Sequence, residues 1–567
     1  MLSTEKPPLL IVGAGPTGLV LATHLARHGI RARIIDQAEG PSPTSRALGI
    51  HARTLEIFDQ LGVIAPILQR GRILREFHLF KEGRRLRSVP IQGINSPYPF
   101  ILTLPQSETE RILIRRLESL GVTVEWQTRL DSLQQEGAEI QAQLIHAKGS
   151  RETLSPHFLV GCDGATSTVR QQLGIPFEGA SLPTWFGLAD LHVPVGLSSD
   201  GPSLFLAREG LLFFIPLPGE NSFRLVFPLP EQPEEGEPEL SWPKIQELVD
   251  RRTNRELDIR DPWWFSRFRT GRRAVPTLIH GSILLAGDAA HIHSPVGAQG
   301  MNSGIQDAHN LGWKLALTLR GEASPQLLQT YEEERLPVAR RILHTTQLTT
   351  RMLTGHHPLI RSLRNTFLPL ALGTSPLRSR LLRIASQTEF DYSQSSLIGE
   401  DIGPDVSPRG PKPGERAPDF ALHALQDEDP TGLHPLLRAP RHTLLWFTLS
   451  GELIPQDLHP LIDIDSLSEL LDLHIFIRDA LPAWETPPGV NIHHDQSGQG
   501  HQIYNPEARS LYLIRPDGHI AWRSRPANFS ALANFLRRVF SPAALIEART
   551  NTIERLDPST HHPPPLS

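Results

Sequence analysis

The chain has 567 residues, 39% hydrophobic and 21% charged, with a net charge of −5. That composition fits a globular protein of roughly three or four domains, and it leaves no basic excess to displace counterions from nucleic-acid phosphates. The one cysteine, Cys162, excludes an intrachain disulfide framework and a cysteine-rich zinc site, so a reduced, cytoplasmic protein is expected.

The first apolar run, in MLSTEKPPLLIVGAG, ends at Gly13 and is too short for a signal peptide. The next stretch, PLLIVGAGPTGLVLATHLARHGIRARIID, reads as strand, glycine turn, helix and strand. Gly13, Ala14, Gly15, Pro16, Thr17 and Gly18 match G-x-G-x-x-G. In that pattern the first glycine allows the turn, the second lets a pyrophosphate approach the backbone, and the third lets helix and strand pack closely. Asp36 closes the second strand, where an acid accepts bonds from an adenosine ribose. The turn predicts a dinucleotide and leaves NAD and FAD open.

Further on, a helix is predicted from about Glu108 to Leu120, then a strand in GVTVEWQTRL. HFLVGCDGATSTVRQQLG reads as a short strand, a turn and a helix. From about Phe177 to Pro276 the pattern changes to an antiparallel sheet; LLFFIPLPGENSFRLVFPLP looks like two strands joined by a Pro-Gly turn. GSILLAGDAAH returns to a buried strand, followed by a helix from about Gly300 to Leu319 and a second helix in QLLQTYEEERLPVARRIL. LIRSLRNTFLPLALG, Leu359 to Gly373, is an amphipathic core helix, and no apolar run reaches membrane-spanning length. SLIGEDIGPDVSPRGPKPGERAPDF reads as a linker. RHTLLWFTL, LDLHIFIRD and RSLYLIRPDGHIAWRSR are strands of a small α/β domain, and LDPSTHHPPPLS is a disordered tail.

In GDAAHIHSPVGAQGMN, His291 and His293 stand two apart and can share a face. A metal would require third and fourth ligands, and no nearby cysteine or H-x-x-x-H spacing supplies them. Packing or hydrogen bonding is their expected role, with no metal bound.

LVGCDGATSTVR carries Asp163, Gly164, Ser167 and Arg170. LLAGDAAHIHSPVGAQGMNSGIQDAHNLGWKLA carries Gly287, Asp288, Pro295, Gly297, Gly300 and Asn302. With the glycine turn, and in this order, these resemble the three fingerprints of the single-component (class A) FAD-dependent aromatic hydroxylases. TSRALGIHARTLEIFDQLGV and YEEERLPVARRI fit as well, so the similarity covers about residues 8 to 345. The proline-rich break and final domain resemble the phenol hydroxylase branch, whose members end in a thioredoxin-like domain and act on phenols, phenylpropionates or polyketide aromatics. LLWFTLSGELIP has no cysteine pair, which excludes a redox role for that domain and favours a scaffold or dimer contact.

The resemblance implies FAD as cofactor, with Asp288 bonded to the ribityl hydroxyls. The backbone of SPVGAQGMN would run beside the isoalloxazine ring, where Gly297 and Gly300 give room and Pro295 stiffens the loop. A helix starting near Gly300, Met301 and Asn302 would aim its positive end at the ring's N1–C2=O edge. Arg46 is implied over the flavin or its phosphates, with a surface arginine as the rival. Gln106 is implied on the cofactor chain, with a cap neighbour as the rival, and Leu130 at the adenine through its backbone. Asp163 and Arg170 hold the motif and the nicotinamide donor's approach, or form a structural salt bridge. Cys162 is a small buried filler.

With only one glycine-rich turn, NADPH or NADH must dock transiently on the flavin domain. The resemblance then implies hydroxylation of an aromatic (phenolic or polyketide-like) substrate with NAD(P)H and O2, through a flavin C4a-hydroperoxide. No residue identifies itself as a catalytic base. Phe213, Phe214, Phe100 and Tyr98 are pocket candidates or sheet core. The alternatives are another flavoenzyme on the same fold (an oxidase, epoxidase or halogenase) and a non-enzymatic flavin-binding protein; DPWWF lacks the W-x-W-x-I-P signature of flavin halogenases.

The expected architecture is α/β. A Rossmann-like FAD-binding domain takes residues 1–75, 106–176 and 277–345, and an antiparallel-sheet substrate domain takes 76–105 and 177–276. A helical segment (346–393), a linker (394–415), a thioredoxin-like domain without a cysteine pair (416–550) and the disordered tail (551–567) follow. The expected partners are the aromatic substrate, O2 and a second copy in a homodimer, with no nucleic acid and no membrane span.

Overall fold

The computed structural model describes residues 8–43, 45, 47–207, 210–229, 241–294, 297–354, 378, 382–384, 386–404, 409–422, 431–449, 470–479, 489–504 and 509–540. The expected helix over Leu359 to Gly373 and the expected tail lie outside them, as do Arg46 and Pro295. The chain divides into two compact units: Met1–His309 with Arg335–Glu389, and Asn310–Glu334 with Phe390–Ser567.

Unit 1 begins with strand β1 (Leu9–Val12), helix α1 (Pro16–Arg27), strands β2 (Arg33–Ile35) and β3 (Gly49–Ile50), and helices α2 (Ala52–Gln60) and α3 (Ile64–Arg70). Strands β4 (Arg72–Leu74), β5 (Glu76–Lys81), β6 (Arg84–Pro90) and β7 (Ile101–Thr103) precede helix α4 (Gln106–Ser119). Strands β8 (Val124–Glu125), β9 (Arg129–Glu136), β10 (Glu139–Ile145), β11 (Arg151–Leu154) and β12 (Phe158–Gly161) lead to helix α5 (Thr168–Gln172). The next region holds β13 (Glu178–His192), β14 (Ser203–Ala207), β15 (Gly210–Pro216), β16 (Ser222–Leu229), helix α6 (Trp242–Thr253) and β17 (Arg260–Ala274). Strands β18 (Ile279–His280), β19 (Ile283–Leu285) and β20 (His291–Ile292) come before the long helices α7 (Gln299–Leu319) and α8 (Gln329–Thr354), whose residues are divided between the two units.

The first sheet has the order β18-β19-β12-β1-β2-β8, parallel except for the β18 edge. Its inner strands are short apolar runs, fully buried in β1, as a sheet covered on both faces requires. The second sheet, β20-β17-β13-β16-β15-β14-β5-β6, is antiparallel apart from the β14–β5 pair. Phe205, Phe214, Phe223 and Phe227 form part of its core, against Ile245 and Val249 of α6. Its open edge, β6, exposes Arg84, Arg85 and Arg87. A third sheet, β3-β7-β4, joins the segment after the Gly-rich unit to α4.

Unit 2 is built on a six-stranded sheet, with β22 (Ala421–Leu422) and β23 (Thr431–Gly432) forming a separate pair. The six strands are β21 (Gly399–Ile402), β24 (His442–Thr448), β25 (Leu471–Ile477), β26 (Val490–His494), β27 (Ser510–Ile514) and β28 (Ile520–Arg525), in the order β21-β28-β27-β24-β25-β26. Helices α9 (Gln499–Tyr504) and α10 (Phe529–Val539) complete it. The stretch read as a linker carries strand β21, paired in parallel from Gly399 opposite Trp522 to Ile402 opposite Arg525. Its proline and glycine lie around this strand, so the composition reads as a loop while the local GEDI sequence pairs. Trp313 and Leu317 of α7 pack with Leu444, Trp446, Leu511 and Trp522 in this unit's core.

Candidate functional site

In the parallel sheet of unit 1, β19, β12, β1 and β2 lie side by side, and the three fingerprints and Asp36 each follow the carboxyl end of one of them. Gly13 follows β1, Asp36 follows β2, Cys162 and Asp163 follow β12, and Gly287 and Asp288 follow β19. The crevice outside these ends is where open α/β sheets bind ligands.

The glycine turn has the geometry its three positions demand. Gly13 has φ +105°, and a Cβ there would stand 2.4 Å from the Cys162 carbonyl oxygen. A Cβ on Gly18 would meet the Gly13 oxygen at 2.0 Å. Gly15 is different: a Cβ there meets nothing within 4 Å. Its hydrogen serves an approach from outside the protein rather than internal packing. Gly15 also caps α1 without any side-chain bond, and the first turn holds no acid, so the helix presents free N–H groups to an anion. The Asp36 carboxylate accepts the Ala14 N–H at 2.7 Å and the Ala38 N–H at 2.9 Å, which orients it beside the turn.

Thr17 does work that its place in the motif does not reveal. Its Oγ1 would be 2.5 Å from a Cβ on Gly287 and 2.4 Å from one on Gly304. The glycine turn, the Gly287 turn and α7 thus interlock through one hydroxyl.

The loop before α7 is tied to β3. Gly297 and Ala298 both take positive φ, +87° and +53°. Buried Asn302 donates to the Ala298 carbonyl at 2.7 Å and the Gly49 carbonyl at 2.8 Å, and accepts the His51 N–H at 3.1 Å. His51 Nε2 lies 2.9 Å from the Gly297 oxygen; that oxygen only accepts, so Nε2 carries the proton. Burial pushes His51 down to about 4. Gly300 has no neighbour to an added Cβ closer than His293 Cε1 at 3.7 Å, and Met301 beside it is half-buried. Asp288 is exposed at the crevice.

Below the loop lies a buried ion cluster. Asp307 accepts Gly287 N–H at 3.0 Å and Arg335 Nε at 2.7 Å, and stands 2.7 Å from His291 Nε2. Burial alone would raise this carboxylate, but His291 and Arg335 outweigh it and hold Asp307 at about 2. His291 and His293 stack with centroids 6.1 Å apart, and burial lowers His293 to about 3. Among the described residues neither belongs to a group able to hold a metal ion.

Gln106 opens α4. Its N–H donates to Ser45 Oγ at 2.7 Å, and its side chain donates to Glu110 at 2.8 Å and accepts the Ala47 N–H at 3.4 Å. Leu130 is buried in β9 opposite Leu144. Asp163 accepts the Val169 N–H at 3.1 Å, and burial raises its carboxyl. Arg170 donates to the carbonyls of Ala165 (2.8 Å) and Ala289 (2.9 Å) and lies over Phe177. Cys162 is buried. Among the aromatic pocket candidates, Phe214 is sheet core against Phe205, Phe213 faces Phe77, and Tyr98 meets Phe100 edge-on.

Sequence reasoning gave no role to Thr17 beyond the turn, and none to His51, Asp307 or Arg335. His51 and Arg335 stand in stretches already quoted, but their partners are far along the chain. Asp163 Oδ1, His291 Nδ1 and His293 Nε2 are buried without a hydrogen-bond partner among the described residues. Those atoms, the gap over Gly15 and the uncapped α1 fit a dinucleotide carrying a flat ring system.

Residues 6–346 match the family described as FAD binding domain. The chain is 34% identical to 6-methylpretetramide 4-monooxygenase of Streptomyces rimosus, an alignment covering 93% of this chain and 92% of that one. It is 31% identical to pentachlorophenol 4-monooxygenase of Sphingobium chlorophenolicum, over 91% and 93%. The solved structure of OxyS anhydrotetracycline hydroxylase from Streptomyces rimosus superposes with a TM-score of 0.72 at 27% identity, over 94% of this chain and 99% of that one.

Proposed function

The chain belongs to the FAD binding domain family, among the class A FAD-dependent aromatic monooxygenases, and on that premise we propose how its own residues serve the reaction. The Gly13–Gly18 turn and the N-terminus of α1 hold the pyrophosphate, and Asp36 takes the adenosine ribose. Gln106, Leu130 and Asp288 bind along the cofactor chain. Gly297, Gly300, Met301 and Asn302 form the bed of the ring, with Arg46 and Pro295 assigned by the motif alone. Asp163 and Arg170 hold the β12 turn beside it.

When bound, FAD supplies oxygen activation, with NADPH or NADH as the electron source. The chain supplies position, dryness and electrostatics. Asn302 and His51 fix the Gly297–Ala298 loop against β3. The start of α7 offers its positive end to negative charge on the ring. Asp307 accepts the Gly287 N–H and so braces the turn that presents Asp288. No side chain is assigned as a base. The substrate is an aromatic compound, phenolic or polyketide-like. A cytoplasmic setting and a homodimer in which unit 2 serves as scaffold belong to the same reading. Unit 2 has no cysteine, since Cys162 lies in unit 1.

The observation that carries this reading is the open space over Gly15 at the carboxyl edge of a parallel sheet where three motifs converge. NADPH consumption measured with and without a panel of phenols tests it. Substrate-stimulated oxidation with a product heavier by one oxygen atom is expected. Turnover without oxygen insertion would assign the fold another flavin chemistry.

A further inference from the structure

Strand β5 gathers side chains that the flavin reading does not use. Glu76 and His78 stand two apart on it, so both lie on one face of the strand. Backbone bonds hold the segment before β14 against them. Arg75 N–H donates to the Asp200 carbonyl at 2.9 Å, and His78 N–H donates to the Pro202 carbonyl at 2.8 Å. Gly201 permits this approach, since a Cβ there would stand 2.0 Å from the Glu76 carbonyl oxygen. Asp200 is thereby delivered to the same place. One ligand atom from each of Glu76, His78 and Asp200 lies within 4.8 Å of the other two.

We infer that these three residues bind one divalent transition-metal ion of the zinc class, with water completing its coordination. The His78 side chain is 1% exposed, while both carboxylates reach solvent, so an ion arriving from water meets a fixed ring. His78 Nε2 stands 2.8 Å from Asp200 Oδ1. Two ligands on one tetrahedral ion, each about 2.0–2.1 Å away, stand about 3.3 Å apart, so about half an ångström of movement makes room. Glu76 Oε2, 3.8 Å from His78 Nδ1 on a part-exposed side chain, closes the third side. Ser88 Oγ lies 2.9 Å from the same Nδ1. With the ring's one proton on Nδ1 and donated to that hydroxyl, Nε2 turns its lone pair to the ion, the second-nitrogen partnering that orients ligating imidazoles.

Charge points the same way. Among the described residues no arginine or lysine pairs with Glu76 or Asp200, and Ser198 Oγ is a further donor to Asp200. Two carboxylates beside a neutral ring leave two negative charges, which a divalent ion balances. One imidazole nitrogen with two carboxylate oxygens suits zinc, whereas magnesium and calcium favour all-oxygen sets. An ion there clips β5 to the segment entering β14, the one parallel pair of that sheet.

The test is calorimetric titration of the chelator-treated, FAD-loaded protein with ZnCl2, MgCl2 and CaCl2. The wild type should bind one zinc ion more than the Glu76→Gln, Asp200→Asn double variant, whose part-exposed amides keep the size of the carboxylates. Zinc should raise the melting temperature of the wild type and not that of the double variant, the two melting alike without metal. Ser88→Ala should weaken zinc about tenfold or more. Equal zinc stoichiometry and affinity in the double variant and the wild type, or magnesium or calcium bound by these residues as tightly as zinc, overturns the inference. No turnover is measured, so the outcome is independent of the oxygenation test.

Discussion

Two buried charge clusters lie along the same pair of helices and behave differently. In unit 1, Asp307 of α7 meets Arg335 of α8 and His291. In unit 2, about two turns further along α7, Lys314 meets Glu334 of α8 at 2.7 Å. Arg515 also donates twice to Glu334, at 2.6 and 2.8 Å, and pairs with Asp517. Asn310 and Ser395 add bonds to the same carboxylate. Burial would raise Glu334, but Arg515 and Lys314 outweigh it and hold it at about 2; burial lowers Lys314 to about 8, against the pull of Glu334. Glu334 is spent entirely on neighbours within its unit. Asp307 also accepts a backbone N–H from the turn that displays exposed Asp288, and the nearby His291 Nδ1 and His293 Nε2 have no hydrogen-bond partner among the described residues. The same physics closes one site and braces the edge of another.

The largest expected break of this contrast is Glu334→Ala, which leaves two buried cations short of their counter-charge. Denaturant unfolding should show a loss of about 3–5 kcal/mol, with flavin still bound by whatever remains folded. Gly15→Val should act the opposite way. The unloaded protein should melt as the wild type does, while FAD affinity drops on the order of 100-fold, about 2.7 kcal/mol. Gly18→Ala is its control: the added Cβ collides with the Gly13 oxygen, so here the melting temperature itself should fall. Asp288→Ala should purify nearly colourless with its unfolding almost unchanged, since an exposed side chain contributes about 0.5 kcal/mol or less to the fold; a fully yellow variant would remove Asp288 from the cradle.

The smallest effect at neutral pH concerns His51. Its folded value near 4 lies below the ordinary value of 6.5, so the unfolded chain binds more protons between them. The neutral ring's contribution is complete above about pH 6.5 and is lost as the pH falls toward 4. Denaturant stability should fall across that window, and His51→Gln should flatten the profile. A stability profile that stays identical in the variant would separate His51 from the acid loss.

The legible part of the molecule was local. Gly13, Gly15 and Gly18 owe their roles to a few residues of backbone, and β1, α1 and β2 follow from apolar runs and one turn. The illegible part was long-range. Asn302 finds Gly49, Asp307 finds Arg335, and β21 finds β28 only once the chain has folded, so no window of sequence holds both partners. The antiparallel region could be read as a sheet from two apolar runs joined by a Pro-Gly turn, but its register, which brings Asp190 opposite Arg224, could not.

The arginines on β6 bear on how copies of this chain meet. Strands added edge to edge sit about 4.8 Å apart. Two copies joining through this margin would bring Arg84, Arg85 and Arg87 against their own equivalents, a repulsion that discourages runaway sheet growth. Any stable pairing is therefore steered to another face, and replacing these guanidinium groups with neutral side chains would remove the guard against fibrous assembly.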